Sequence, residues 1–204
     1  MDGAHASDAA FRAPDLASPV DVEAWAAAAP RGGFVKGMFF EVVKREVRVA
    51  GAPAPGRDRY TAFRGYPLDE WLRFLPECAA RAFPHLPVRE GMRRFGHGAF
   101  RTFQRSTAGS VLFSFAGRDR QATARLAGTA FDAISSHGRV EVVESGPGHV
   151  MLRFRGMWDY IEGWHVGVVE GAARALDAEP RVEVRMKTPR DGDLRLSWDG
   201  SSAA

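Results

Sequence analysis

The sequence predicts an α+β fold in which a helical N-terminal half packs on a four-stranded antiparallel sheet of ββαββ order. Apolar residues recur at helical spacing through the first two thirds of the 204 residues. From Gly138 onward, four short segments alternate apolar and polar residues with period two. These segments form two pairs around one further helix, which indicates two hairpins with helices packed on one face.

The chain is predicted to form one domain with short tails. Residues 1–17 are rich in Ala, Asp, Ser and Pro and show no periodicity, so we expect a disordered tail there. A single α+β domain is expected over residues 18–199, a length that is sufficient to bury one hydrophobic core. Residues 200–204 would form a second, shorter tail.

Helix signals begin directly after the first tail. Ser18 and Pro19 are typical of a helix start, and the short helix that follows ends at Pro30. A second helix is predicted over residues 34–50, where Gly51 supplies a C-terminal stop.

Three more helices are predicted before the sheet. One begins at Pro67 and carries Pro76 in its interior, where we expect a kink or a split. Residues 88–105 form an amphipathic helix with a row of arginines on its outer side. A short apolar piece at 110–115 comes before a helix over residues 119–134.

The sheet is predicted from two hairpins. Residues 139–145 and 149–156 alternate around the turn sequence SGPG, and residues 181–187 and 193–198 alternate around TPRDG. The inward face is apolar, whereas the outward face is basic with two acids and no aromatic residue. The outward positions are Arg139, Glu141, Arg153, Arg155, Arg181, Glu183, Arg185, Lys187 and Arg195.

Between the hairpins, residues 160–176 carry Gly163, Gly167 and Gly171 at four-residue spacing. Glycine costs about 1 kcal/mol relative to alanine in a helix, so three glycines on one face need a reason. Because residues four apart lie on one helical stripe, these glycines would let another backbone approach closely. We interpret the stripe as a close-packing surface against the sheet, a neighbouring helix or a second subunit.

Composition excludes several classes of protein. The single cysteine, Cys78, rules out a disulfide framework and a thiolate metal cluster. No apolar run approaches the roughly 18 residues of a membrane span, and no secretory signal is present, so we expect a cytoplasmic protein. The net charge is +3, and positively and negatively charged residues are interspersed along the chain. Nucleic-acid binding is disfavoured, because the aromatic residues of 88–105 fall on its buried side rather than among the arginines.

No catalytic or metal-binding motif is present. The sequence contains no HExxH, CxxC, P-loop or GxSxG element, so we predict neither catalytic residues nor a metal site, and no enzyme. His137 and His149 lie beside glycines in predicted turns, where we expect exposure. His97 lies between Gly96 and Gly98 in RRFGHGAF, and those glycines would admit a flat ligand or another backbone.

A family resemblance is carried by the stretches VDVEAWAAAAPRGGFVKGMFF, YPLDEWLRFLPECAARAFPHLPVREGMRRFGHGAFRTFQRSTAG, GWHVGVVEG and LRLSW. Over residues 18–199 the chain resembles a large paralogous family, known mainly from myxobacteria, that is defined by a domain of unknown function. The resemblance depends on the placement of glycine, proline and aromatic residues. It implies homology without implying an activity.

The order of elements is also similar to a superfamily that includes haem nitric-oxide-binding domains, 4-vinyl-reductase-type domains and TRAPP subunits. That resemblance implies a haem, a lipid-like group or a protein partner bound in or around a pocket between helices and sheet. The Tyr-x-Ser-x-Arg element of the haem-binding branch is missing here, which leaves His97 as the candidate axial ligand. The cysteine signature of the vinyl-reductase-like domains is also missing from DGDLRLSW.

These observations lead to the hypothesis of a non-enzymatic sensory or adaptor domain in signalling or regulation. It would bind a small apolar ligand, a protein partner or both, without a cofactor, and homodimers are compatible with it. The alternatives are a haem-based gas sensor and a nucleic-acid-binding protein with a basic surface. The candidate binding residues are Phe39, Phe40, Trp71, Phe95, His97, Phe100, Trp164 and His165.

Overall fold

The computed structural model describes residues 10–114, 116 and 119–198. The helical half contains α1 (Val22–Ala27), α2 (Gly37–Val49), α3 (Leu68–Ala82), α4 (Val88–Gln104), α5 (Thr107–Phe113), α6 (Arg120–Arg125) and α7 (Ala127–Asp132), with two short strands, β1 (Phe34–Lys36) and β2 (Gly65–Pro67). The second half contains β3 (Arg139–Gly146), β4 (His149–Arg155), a π-helical turn (Ile161–His165), α8 (Val166–Ala175), β5 (Pro180–Thr188) and β6 (Asp191–Trp198).

The second half forms the predicted four-stranded antiparallel sheet, with strand order β3-β4-β6-β5. The two hairpins are joined through β4 and β6, which pair from His149 with Ser197 to Phe154 with Gly192. Buried inward residues such as Leu152, Val184 and Leu194 form the sheet's core. The predicted α+β fold class is confirmed.

The predicted helix start at Phe34 is wrong. Residues 34–36 form β1, which pairs with β2, and Val35 also bridges to Ser135 in the segment that follows α7. The helix begins only at Gly37, where a Cβ would overlap the carbonyl of Thr61. Long-range strand pairing therefore outweighs the local helical pattern of this segment.

The region before the sheet also differs from the prediction. Residues 110–113 of the short apolar piece belong to a helix, α5, whose N-cap Ser106 accepts a hydrogen bond from the Gly109 amide. The single helix predicted over 119–134 is divided into α6 and α7 at Leu126. Just after the break, a Cβ on Gly128 would lie 2.6 Å from the Val140 carbonyl oxygen, so α7 packs directly on β3.

Helix α3 continues through Pro76 without the predicted split. Proline has no amide hydrogen, so Pro76 leaves the carbonyl of Leu72, four residues earlier, without its helical partner. The Tyr160 hydroxyl donates to that carbonyl at 2.6 Å. A side chain from the second half thus satisfies a backbone group that the proline exposes in the first half.

The glycine stripe packs on helix α4. A Cβ on Gly163 would lie 3.1 Å from the Arg89 carbonyl oxygen, and one on Gly167 or Gly171 would overlap the carbonyl of Arg93 or His97. On α4 itself, Gly96 approaches the α8 backbone in the same way, with its Cβ position 2.8 Å from the Val168 nitrogen. The stripe's partner is therefore a helix of the same chain.

Ion pairs reinforce the contact between α4 and α8. Arg93 makes two hydrogen bonds of 2.7 Å to the carboxylate of Glu170, and His97 Nε2 lies 2.8 Å from the same carboxylate. Burial alone would raise the pKa of Glu170, but the hydrogen bonds from His97 and Arg93 outweigh burial and lower it. Arg93 thus belongs to an internal ion pair, although the sequence places it in the row of arginines on the outer side of this helix.

Residues 10–17, which were expected in the N-terminal tail, lie on the fold. The backbones of Arg12 and Val184 exchange hydrogen bonds of 2.9 and 2.7 Å, and the Phe11 ring lies under the guanidinium groups of Arg185 and Arg195. An aromatic ring therefore covers part of the outer sheet face. The remaining tail residues, 1–9 and 200–204, lie outside the described residues.

The outer sheet face is more neutral than its sequence indicates. Asp193, which is almost completely buried, pairs with Arg153 at 2.8 Å and with Arg185 at 2.7 Å. Arg195 pairs with Glu183 at 2.7 Å. Three of the arginines predicted on this face are thus matched by neighbouring carboxylates.

Candidate functional site

A cavity of about 160 Å³ lies between the helical half and the sheet. Its walls come from α2 to α8 and from strands β3, β4 and β6, so both halves of the fold contribute to it. Twenty-four of its 29 lining residues are apolar, and the polar ones are Arg120, Thr123, Ser135, Asp159 and His165. Ligand sites in proteins are typically concave and apolar with a few placed polar groups, and this cavity has that character.

Helix α8 supplies one wall of the cavity. Val168, Val169, Ala172, Ala173 and Leu176 line it. At 100° per residue these side chains lie on the side of α8 opposite the glycine stripe. The close contact with α4 therefore fixes the position of the helix, while its other side borders open space.

Four polar residues form a connected group, the polar corner, at one end of the cavity: Ser135, His137, Asp159 and His165. Asp159 Oδ1 lies 2.6 Å from His165 Nε2 and 3.2 Å from His137 Nε2. His137 Nδ1 in turn lies 2.7 Å from the Ser135 hydroxyl. All four residues are buried, and within the described part of the chain His137 Nε2 has no hydrogen bond, because its approach to Asp159 meets only the distance of an ion pair.

Asp159 is ionised in this environment. Burial would raise the pKa of Asp159, but the charges of His165 and His137 and the hydrogen bond with His165 outweigh burial and hold the pKa far below its usual range. The short distance to His165 is that of a direct hydrogen bond. Among the described residues, no group of three His, Cys, Asp or Glu side chains is arranged to hold a metal ion.

The backbone at the polar corner has an unusual conformation. Tyr160 has φ of +58°, in the left-handed region that side chains rarely adopt. The π-helical turn follows at once, with the His165 amide bonded to the Tyr160 carbonyl. Conformations of this kind concentrate at functional sites, where surrounding structure holds them in place. Here the turn directs Trp164 and His165 into the cavity wall.

Five of the eight candidate residues from the sequence line the cavity: Phe39, Trp71, Phe100, Trp164 and His165. The rings of Trp71 and Trp164 meet edge to face, with centroids 5.1 Å apart, and Phe39 meets Trp164 in the same manner at 6.1 Å. The sequence thus brings residues from α2, α3, α4 and the π-helical turn to one place.

The other three candidates lie elsewhere. Phe40 stacks on Tyr60 at 4.2 Å within the helical core, and Phe95 packs against Phe83 at 5.3 Å. His97 contacts Glu170 and Arg174 at the α4–α8 contact and does not line the cavity.

Most of the polar corner is missed by the sequence patterns. His137 was expected to be exposed in a turn, and this is wrong, because it is buried beside Asp159. Asp159 itself carries one visible signal, since it is the lone acid in the apolar run MWDYI. His165 follows six residues later, but Ser135 and His137 lie on the far side of the β3–β4 hairpin, so that signal alone does not identify the group.

The cavity does not fit a haem. Its volume matches that of an engineered cavity of about 150 Å³ that takes up benzene, whereas a porphyrin contains four linked pyrrole rings. His165 is the one histidine among the described lining residues, and its Nε2 is already hydrogen-bonded to Asp159. The His165 ring is also enclosed by Phe131 and Phe154, with ring centroids 5.9 and 5.1 Å away.

Solved structures with a similar fold include H-NOX proteins. The chain matches an H-NOX protein from S. oneidensis in the Fe(II)NO ligation state with a TM-score of 0.59 and 15% identity, covering 80% of this chain and 99% of that one. It matches the SO2144 H-NOX domain from Shewanella oneidensis in the Fe(II)CO state with a TM-score of 0.59 and 13% identity, covering 81% and 99%. Unliganded H-NOX from K. algicida matches with a TM-score of 0.54 and 10% identity, covering 83% and 99%.

At these identities the likeness establishes a shared H-NOX-like fold. A comparison with curated proteins found no match. Within the described part of the chain, no helix has the length and apolar character needed to cross a bilayer. Residues 31–199 match the family model described as "Protein of unknown function (DUF2378)", and the chain belongs to that family.

Proposed function

We propose that this protein is a non-enzymatic ligand-binding sensor domain whose ligand is a small apolar molecule held between the helices and the sheet. The observation that carries the proposal is the apolar cavity of about 160 Å³ at that place. Natural interiors pack with few voids larger than a water molecule, so a cavity of this size in an otherwise dense core calls for an occupant.

The shape of the fold supports this proposal. Two of the H-NOX neighbours are described in Fe(II)NO and Fe(II)CO ligation states, so those proteins bind small molecules. In this chain the cavity is bounded by α8 and by the π-helical turn, which follow β4 in the chain and pack against α4 of the helical half. An occupant there would contact both halves and could change their relative packing, which is the property a sensor or adaptor requires.

Haem sensing, the alternative drawn from the resemblance, has no support from the cavity's size or lining. Nucleic-acid binding has little support from the sheet, because Asp193 and Glu183 neutralise arginines on its outer face. A protein partner remains part of the proposal as the receiver of the signal.

Native mass spectrometry tests the proposal directly. Protein purified without detergent is measured before and after exposure to toluene, together with the cavity-filling variant Ala172→Leu. We expect a bound small molecule, or uptake of one toluene, in the wild type and loss of that binding in the variant. If the wild type carries no bound molecule either before or after exposure to toluene, the proposal is contradicted. A Soret band after haem addition to the same sample would replace it with the haem alternative.

A further inference from the structure

In the described part of the chain, one carboxylate oxygen of the polar corner receives no hydrogen bond. Both imidazoles, His137 and His165, approach Asp159 at Oδ1. Across residues 10–114, 116 and 119–198, no hydrogen bond reaches the other oxygen, Oδ2. The Asp159 side chain is only 5% exposed, and the residue lines the cavity.

An unpartnered oxygen of this kind is energetically costly. A buried ionised carboxylate is stable only when its lone pairs receive hydrogen bonds, and leaving such a group unsatisfied costs about 1–3 kcal/mol or more. Asp159 cannot relieve this cost by taking up a proton near neutral pH, because its two imidazole neighbours keep its pKa low. A donor that enters from the cavity would satisfy the oxygen.

The rest of the cavity wall offers little competition for that donor. Ser135 is engaged with His137 at 2.7 Å, and the Arg120 guanidinium donates to the carbonyls of Leu176 and Asp177. A guanidinium is itself only a donor, so it cannot receive a hydrogen bond from a ligand. Thr123 is the remaining polar side chain of the lining, and the Trp71 indole N–H is a buried donor without a partner among the described residues. An indole N–H only donates, so it can pair with an acceptor on a ligand but cannot receive the ligand's donor.

We propose that the cavity selects apolar molecules that carry one hydrogen-bond donor, such as a phenol, and that Asp159 Oδ2 accepts this donor. The inference rests on the proposed ligand-binding function and specifies the chemical class of its ligand. The aromatic and aliphatic wall receives the apolar body, and the polar corner receives the O–H or N–H group. Charge-assisted hydrogen bonds of this type are about twice as strong as neutral ones.

The test compares phenol, toluene and anisole, three molecules of related shape. Phenol has a donor, toluene has no polar group, and anisole has only an acceptor. Affinities are measured by calorimetry for the wild type and for Asp159→Asn, Thr123→Val and Ser135→Ala. A purely apolar cavity would favour toluene, because burying an unpaired hydroxyl is unfavourable.

We expect the wild type to bind phenol at least tenfold more tightly than toluene or anisole, which corresponds to about 1.4 kcal/mol. Asp159→Asn should reduce this preference at least tenfold, whereas Thr123→Val should leave it unchanged. Should Asp159→Asn fail to fold, the wild-type order of the three affinities still decides the matter.

The failures of the two proposals are distinguishable. If none of the three molecules binds, the proposed ligand-binding function fails. If toluene binds as tightly as phenol, or if Thr123→Val or Ser135→Ala abolishes the preference instead of Asp159→Asn, the cavity binds ligands but the role of Asp159 is overturned.

Discussion

The two sides of helix α8 differ in how closely they pack. On one side, Gly163, Gly167 and Gly171 bring the backbone of α8 and the preceding turn against the backbone of α4. On the other side, residues such as Val169 and Ala173 face a cavity. Helix α8 is therefore tightly packed against α4 on one side and lines a cavity on the other.

This difference shows that the cavity is not a sign of loose packing in general. The glycines and the Glu170 ion pairs attach α8 firmly to the helical half, so the space on its other side is bounded by a fixed wall. Preorganised walls lower the entropic cost of binding a ligand. The comparison predicts that substitutions on the glycine side damage stability, while substitutions on the cavity side damage binding.

The largest effect is expected for Gly167→Leu. The added side chain would collide with the α4 backbone at Arg93, which cannot move without disrupting its own helix. We expect a loss of at least about 3 kcal/mol in the free energy of unfolding, or no folded protein. Chemical denaturation of the wild type and the variant measures this difference in the free energy of unfolding.

Gly98→Ala on α4 is the matched control for that substitution. A Cβ there meets only Val42 Cγ1, at 3.8 Å. Alanine is the better helix former, so this variant should gain up to about 1 kcal/mol. Equal stabilities for the Gly167 and Gly98 variants would refute the close-packing account.

The next largest effect is expected for Glu170→Gln, which weakens the ion pair with Arg93 and the hydrogen bond with His97. We expect a loss of about 2 kcal/mol at neutral pH. The folded pKa of Glu170 is lowered, so the unfolded chain binds the proton more readily and the stabilisation is present above the unfolded pKa of about 4.3. It declines as the pH falls below that value.

The difference in stability between wild type and Glu170→Gln should therefore shrink on acidification below about pH 4.3. Urea denaturation at a series of pH values measures it. A difference that stays constant across this range would show that the carboxylate charge makes no contribution to the α4–α8 contact.

A smaller effect, about 1–2 kcal/mol, is expected for Tyr160→Phe, because the Leu72 carbonyl then lacks its donor. The control is the same substitution in a Pro76→Ala background, where the alanine backbone supplies the helical amide that proline lacks. A double-mutant cycle by denaturation should give a positive coupling between the two sites. Additive effects would mean that the tyrosine acts only through packing.

The smallest effect on stability is expected for Ala172→Leu on the cavity side of α8. Additional methyl groups would enter open space, so the free energy of unfolding should change by less than about 1 kcal/mol. Toluene binding should nevertheless be lost, which mass spectrometry detects. A destabilisation as large as that of Gly167→Leu would abolish the contrast between the two sides of α8.

Sequence patterns predict the architecture because helical and alternating periods are local properties. They also identify five cavity residues, since large aromatic residues such as Trp71 and Trp164 occur where the helical half must meet the sheet. The β1–β2 pair and the contact of His137 with Asp159 could not be predicted, because each depends on residues that are brought together only by the tertiary fold.

The partner of the glycine stripe illustrates the same limit. The spacing of Gly163, Gly167 and Gly171 predicts a close contact, but it does not choose among sheet, helix and second subunit. The choice follows from α4, where Gly96 adds the reciprocal approach. Gly96 stands in RRFGHGAF, and from the sequence alone that stretch predicts room either for a ligand or for another backbone.

The central claim, a ligand-binding cavity between helices and sheet, is tested most directly by a toluene titration followed by NMR of the methyl groups. The account predicts saturable shifts of methyl signals from lining residues such as Val140, Leu152 and Ala173, with those of Val43 and Val47 in the helical core unchanged. Shifts spread over the surface, or no saturable shift at all, would contradict it.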